Sequence, residues 1–125
     1  MSDHSRYEPR RRARRRALQA IYQWQMTAQA LETIAAQFHE DKSWRRIDED
    51  LFSAHLYGVA TNVTTLDAHL QPILDRPVAQ LDAVERAILR MGAFELTHRR
   101  SVSCAVSRPV ARRRGCVWPA YREYR

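Results

Sequence analysis

Glycine is scarce in this chain: only Gly58, Gly92 and Gly115 occur among 125 residues. Proline is sparse through the middle, where Pro72 and Pro77 are the only two between Pro9 and Pro109. So little punctuation argues against many short strands joined by turns, and favours helices. It also excludes a Gly-rich loop of the kind that cradles phosphates. Cys104 and Cys116 are the only cysteines. Two are too few for a disulfide framework, and their spacing is not a metal pattern. No histidine follows His98 to complete a ligand set, so both read as incidental thiols and no metal is expected. No apolar run approaches the roughly 20 residues that cross a membrane. The N-terminus lacks the apolar core of a signal peptide. Its Arg-rich, acid-poor start is shared with organelle transit peptides, but Ala17 through Trp24 runs straight on into helix-like sequence with core spacing. A cytoplasmic protein with no membrane partner is therefore expected.

What the chain has in excess is arginine: twenty, against the single lysine Lys42. The formal charge of +7 is unevenly placed. Residues 1–16 carry seven arginines against Asp3 and Glu8, a net +5. Residues 17–98 carry six basic and eleven acidic side chains, a net −5. Residues 99–125 carry eight arginines against Glu123, a net +7. Positive ends on an acidic body suggest a polyanion partner, most simply nucleic acid. A solubilising basic tail that binds nothing specific is the plainer alternative. The length points to one domain, and an apolar content of 45% is ordinary for a globular chain.

The apolar spacing is helical throughout the middle. Leu18, Ile21, Tyr22 and Gln25 share one face, with Ala17 and Trp24 beside it. Leu31, Ile34, Ala35 and Phe38 follow the i, i+3, i+4, i+7 rule. Phe52, Leu56, Val59, Val63, Leu66 and Leu70 form a seam about five turns long, which Pro72 ends or kinks. Asp82 and Glu85 read as a capping box ahead of a buried stripe of Val84, Ile88 and Met91. At the front, Pro9 suits a first-turn position, and the pairs Arg10/Arg14, Arg11/Arg15 and Arg12/Arg16 are each one turn apart. Such like-charge pairs repel by a few tenths of a kcal/mol each. The segment is thus expected to fray when free and to order on a polyanion. Residues 10–98 read as about five helices with short connections, an all-α bundle.

No catalytic constellation is visible, and the chain reads as a non-enzyme with no cofactor. Of the five histidines, His55 and His69 alone fall on one expected helix. Fourteen residues separate them by roughly 21 Å at about 1.5 Å per residue, too far to share a metal. Both are expected beside the seam, at the surface or on its flank. The functional feature is the Arg run. A guanidinium grips phosphate in two places and stacks on exposed bases, which suits single-stranded or irregular RNA. Tyr22 and Trp24 follow it directly; stacking on bases is one role for them, and core or interface packing beside Ile21 is the other.

Three stretches carry a resemblance. RRRARRRALQAIYQWQ (10–25), GVATNV (58–63) and RPVAQLDAVERAILRMGAFEL (76–96) resemble, in order and separation, the NusB family of bacterial transcription antitermination factors. Together they span 10–98. The resemblance implies an all-helical fold of two small halves packed across each other. It implies binding of boxA, a short single-stranded element of ribosomal-RNA leader transcripts. That binding occurs together with a small-subunit ribosomal protein, called NusE in this role, and the pair joins RNA polymerase and suppresses premature termination. On this pattern Arg10, Arg11, Arg12 and Arg14 match the RNA-contacting basic segment, and Arg15 and Arg16 extend it. Tyr22 and Glu85 match positions that face the protein partner, while Trp24 stays with packing. The resemblance also admits a homodimer, since some members pair through their RNA face.

The pattern breaks after His98. The family continues with a proline turn and further helices that include Ile-Asn-Glu-Ala and Asn-Gly-Val-Leu-Asp segments. Here the chain reads SVSCAVSRPVARRRGCVWPAYREYR (101–125), with no apolar stripe at helical spacing. The expected organisation is a NusB-like domain over 1–98, incomplete at its C-terminal end, and an atypical, poorly ordered basic tail over 99–125. Out-of-frame reading of a GC-rich gene from about residues 98–101 would produce such a tail; a genuine basic extension is the competing reading. Two other functional readings stand beside antitermination. One is the accessory RNA-binding domain of a ribosomal-RNA cytosine methyltransferase, which a downstream frame encoding a Gly-rich nucleotide loop would favour. The other is a generic basic helical module, which a preference for duplex DNA would favour. If helices that should cover the seam and the 82–97 segment are missing, each large side chain left wet forfeits about 1.5–3 kcal/mol. A whole domain holds only about 5–15 kcal/mol. The expected product is destabilised, aggregation-prone or partly ordered. A calorimetric scan with a cooperative transition at an ordinary mesophile temperature would contradict this.

Overall fold

The computed structural model of the chain describes residues 4–42 and 44–98, with side chains from Tyr7 onward. The tail expected to be poorly ordered lies outside the described residues. Within them the structure is all-α, with no strand. Helix α1 spans His4–Thr27, α2 Leu31–Glu40, α3 Glu49–Thr61, α4 Val63–Leu70 and α5 Ala83–His98. Two short 3-10 turns, Gln71–Ile73 and Val78–Gln80, carry the chain from α4 to α5. Helix α1 is the hub: it packs on α2, α3 and α5, while α5 also packs on α3 and α4.

The inward stripe of α1 differs from the one expected. Ala13, Ala17, Ala20 and Ile21 are fully buried, Trp24 packs against the same core, and Tyr22 is exposed. The stripe is rotated away from Leu18, Tyr22 and Gln25 because alanines define it. Their small side chains bury little area each, but they let the α3 and α5 backbones approach. Pro9 does not open α1, which begins earlier at His4. A proline inside a helix removes one amide donor. The Pro9 carbonyl accepts a bond from the Asp48 amide at 3.2 Å, tying α1 to the start of α3.

The long seam is present but interrupted. Phe52, Leu56, Val59, Leu66 and Leu70 are buried as expected, while Val63 is only half-buried. At Asn62 the backbone leaves the helical region (φ −107°, ψ 17°) and divides α3 from α4. The Asn62 side-chain amide donates to the Gly58 carbonyl at 2.8 Å, a local bond that competes with helix continuation. Helix α4 then stops at Leu70, before Pro72. The Gln71 side chain clamps the turn region: its amide donates to the Arg76 carbonyl, and its oxygen accepts from the Val78 amide.

Helix α5 starts as the sequence predicts, with the Asp82 carboxylate accepting from the Val84 amide at 3.1 Å. Its buried face does not follow the prediction. Val84 and Ile88 are about half exposed; Ala87, Phe94 and Thr97 are the buried positions, with Met91 packed beside them. The inward stripe is displaced toward Ala87 because α1 and α3 approach that side, and a small residue again marks the closest passage. His55 also departs from the prediction: it is fully buried rather than on the flank.

The GVATNV segment owes its glycine to this packing. A Cβ added at Gly58 would lie 2.3 Å from Cε2 and Cζ of Phe94. The ring of α5 rests directly on the α3 backbone. Gly58→Ala would gain about 0.5–1 kcal/mol of helix propensity, but overpacking costs typically about 1–3 kcal/mol. The expected result in urea unfolding is a lower midpoint, partly restored by adding Phe94→Leu. A raised midpoint would mean that α3 and α5 are not this close.

Candidate nucleic-acid interface

The Arg run lies on α1, and helical geometry sorts it. Arg11 and Arg15 are exposed, Arg10, Arg12, Arg14 and Arg16 half-buried, and Ala13 and Ala17 face the core. Seven residues beyond Arg15, on the same exposed face, stands Tyr22; Met26 follows. At about 1.5 Å per residue, Arg15 and Tyr22 are roughly 10 Å apart along the axis.

In the structure this segment is helical, and carboxylates neutralise part of its charge locally. Glu8 takes both Arg11 (3.5 Å) and Arg12 (3.1 Å). Asp41 takes Arg16 at 3.5 Å, and Arg16 also donates to Gln19 at 3.1 Å. Glu95 takes Arg14 at 2.6 Å. Three carboxylates thus offset the repulsion between arginines one turn apart. Among the described residues no carboxylate pairs with Arg10 or Arg15. The Nε of Arg10 is buried and has no hydrogen-bond partner among the described residues. A cavity of about 330 Å³ opens beside the helix, lined by Arg12, Arg15, Arg16, Gln19 and Ile47. Three arginines among its lining residues give it a positive border, and exposed paired arginines can exchange a carboxylate for a phosphate at small cost.

Arg14 stands apart. One oxygen of Glu95, on α5, accepts from Arg14 and also meets Nε2 of His55, on α3, at 2.7 Å. Nδ1 of His55 meets the Leu51 carbonyl at 2.7 Å. Both partners are acceptors when Glu95 is ionised, so the two bonds form together only with a hydrogen on each ring nitrogen. Burial pushes the Glu95 carboxyl up, but the hydrogen bonds and charges of His55 and Arg14 outweigh it and bring it down to about 2 from 4.5. Arg14 is turned inward, to the junction of three helices.

Tyr22 and Glu85 are both exposed. Their helices meet at a polar junction. Gln25 donates to the Ala83 carbonyl at 2.9 Å, and Arg90 donates to Gln25 (2.9 Å) while gripping both oxygens of Asp67 on α4 at 2.8 Å. Such a two-pronged pair is geometrically specific. It sets the first turn of α5 against the last turns of α1, so the basic track and the Tyr22 region belong to one surface of α1. Among the described residues no group of His, Cys, Asp and Glu could hold a metal, and no helix is long and apolar enough to cross a membrane.

The model of the NusB family matches residues 11–108. This chain belongs to the NusB family. The match runs past His98, beyond the three stretches that carry the resemblance. Three curated relatives each bear the name transcription antitermination protein NusB. The protein of Hahella chejuensis is 49% identical over 92 residues, 74% of this chain and 62% of the relative. That of Alcanivorax borkumensis is 47% identical over 102 residues, 82% of this chain and 68% of the relative. That of Pseudomonas savastanoi pv. phaseolicola is 48% identical over 90 residues, 72% of this chain and 54% of the relative. The chain therefore spans between about half and two thirds of the length of these NusB relatives.

Two features of this NusB-family chain escape the sequence. One is the His55–Glu95–Arg14 node, which joins residues 81 positions apart and carries no local signal. The other is the loop after α2. It holds Lys42, Arg45 and Arg46, half of the six basic residues of the acidic body, within five positions. That local density was a legible signal.

The node has a pH signature. Glu95 has a folded-state value below its ordinary one, so its contribution is complete above about pH 4.5 and is lost as pH falls toward about 2. Glu95→Gln should lower stability at pH 7 by about 1–3 kcal/mol, since it removes the charge that Arg14 pairs with at a partly exposed position and weakens the bond to His55. It should also flatten the loss of stability between pH 4.5 and 2. Urea unfolding at a series of pH values measures both. Acid unfolding that tracks the parent chain would mean that Glu95 holds no such pair.

Proposed function

We propose that this chain is an RNA-binding antitermination factor, an adaptor rather than an enzyme, acting in the cytoplasm. It binds a boxA-type single-stranded element of ribosomal-RNA leaders together with the ribosomal protein that serves as NusE, and the pair engages RNA polymerase. The observation that carries this reading is the arginine-lined cavity on α1, beside an exposed guanidinium track that no carboxylate fully neutralises. The names of the NusB relatives support it over the methyltransferase accessory domain and over a generic basic module.

In this reading Arg10, Arg11, Arg12, Arg15 and Arg16 meet phosphates and splayed bases. Arg14, held by Glu95, acts by fixing the pitch of the track against α5. Tyr22 and Glu85 face the protein partner. The 39% exposure of the Tyr22 ring at the end of the basic face supports that role over one in the core. A homodimer through the arginine face would compete with RNA for the same side chains.

The test is fluorescence anisotropy of a labelled boxA RNA against a scrambled control, with and without the ribosomal partner, at two salt concentrations. The expected result is a preference for boxA that the partner strengthens. Equal, steeply salt-sensitive binding of both RNAs with no effect of the partner would leave only the arginine–phosphate attraction and overturn the antitermination reading.

A further inference from the structure

The cavity on α1 has a second wall. Ile47, from the loop between α2 and α3, lines it together with Arg12, Arg15 and Arg16 of α1. The loop is pinned to α1 at both ends of this stretch. Arg12 donates to the Arg45 carbonyl at 3.3 Å, and the Asp48 amide donates to the Pro9 carbonyl at 3.2 Å. Beside these ties Trp44 stands edge-on against Phe52, with ring centroids 4.8 Å apart, and against His39 at 4.5 Å. The indole N–H donates to Glu49 at 3.2 Å. A short loop with this many anchors holds its exposed side chains at a set distance from α1.

Those exposed side chains are basic. Lys42, Arg45 and Arg46 are all exposed, and among the described residues no carboxylate pairs with them. The acidic groups of the loop are engaged elsewhere. Asp41 pairs with Arg16, Asp48 caps α3 by accepting from the Leu51 amide at 3.0 Å, and Glu49 holds Trp44. Arg46 adopts φ 50°, the left-handed region that costs a residue with a Cβ about 1–2 kcal/mol to enter. Glycine or asparagine would fit there at less cost. Strain of this kind persists where the surroundings over-determine it and collects at functional sites. Here an arginine is kept where a glycine would be more stable.

We infer that the Trp44–Ile47 segment is the second jaw of the RNA site: Arg45 and Arg46 take backbone phosphates of the strand whose adjoining phosphates lie on Arg12, Arg15 and Arg16. This rests on the RNA-binding reading above and adds a binding surface to it. The cavity between the jaws suits one nucleotide unit. Ile47 offers an apolar floor to a base or ribose face, and the Gln19 amide, with both donor and acceptor, can address a base edge. Lys42 extends the positive rim toward α2.

The test uses the full chain and a labelled single-stranded 12-nucleotide RNA carrying boxA, with affinity measured by anisotropy across salt concentrations. The variants are Arg45→Ala with Arg46→Gly, which removes both guanidinium groups and relieves the left-handed backbone, and the charge-keeping pair Arg45→Lys with Arg46→Lys. Each cation withdrawn from a phosphate of a single strand lowers the slope of log K against log salt by about 0.7. The expected result for the first pair is a slope shallower by about 1.4 and an affinity lower by about tenfold at moderate salt. Circular dichroism should be unchanged, and the lysine pair should recover most of the slope. If the parent chain binds and the first pair binds with the same slope and affinity, the second jaw is wrong while the α1 site stands. If the parent chain does not bind this RNA at any salt, both readings fall. A lower affinity with an unchanged slope would also overturn the proposal, because it would reflect altered loop structure rather than cations withdrawn from phosphates.

Discussion

One carboxylate oxygen holds the three principal helices in register. Glu95 Oε1, on α5, receives Arg14 from α1 and His55 from α3. Every other carboxylate pair of the Arg run lies near the surface, where water and salt compete. This one is more withdrawn from solvent, and removing Glu95 takes from both Arg14 and His55 the partner they share. The alanine stripe of α1 allows the close approach, and Phe94 lying on Gly58 fixes its depth. The oxygen then sets the rotation of α1 about its axis, and with it the direction in which the remaining arginines point.

The arginines consequently divide by what holds them. Arg11, Arg12 and Arg16 are paired with Glu8 or Asp41 across 3.1–3.5 Å at partly exposed positions. Such pairs contribute little to stability, typically about 0–1 kcal/mol. They stabilise the helix in the absence of a polyanion and are easily exchanged for one. Arg14 pairs instead with Glu95 of α5, at 2.6 Å. A helix carrying six arginines in seven positions is thereby kept folded and still presents positive charge to a ligand. The same division appears at the α1–α5 junction, where Arg90 binds Asp67 and Gln25 and leaves Tyr22 and Glu85 exposed beside it.

Much of this was legible from one sequence because it depends on local periodicity. The seam from Phe52 to Leu70, the Asp82 cap and the stop before Pro72 each follow from spacing or from the chemistry of one residue, and each is present. The errors share a cause. Reading large apolar residues as the inward face placed Val84 and Ile88 in the core, whereas several of the buried positions on α1 and α5 are small: Ala13, Ala17, Ala20 and Ala87. Where helices pass closely, size complementarity decides the face, and the size needed depends on the neighbour. His55 was assigned to the flank because its polarity argues for the surface. Only a partner forty residues away makes its burial tolerable.

The sequence by itself determined that the chain is helical, where α4 stops and α5 starts, and that a dense arginine segment lies on the first helix. Those properties arise from contacts within a few residues, so they are written in local order. Tertiary structure alone decided which arginine joins α5 and which line the cavity on α1, because that depends on Glu95, Asp41 and the loop through Ile47 arriving from distant parts of the chain. It likewise decided that the loop lies against the arginine face, since the anchors that hold it there are long-range bonds to Pro9 and Arg12 rather than any propensity of the loop itself.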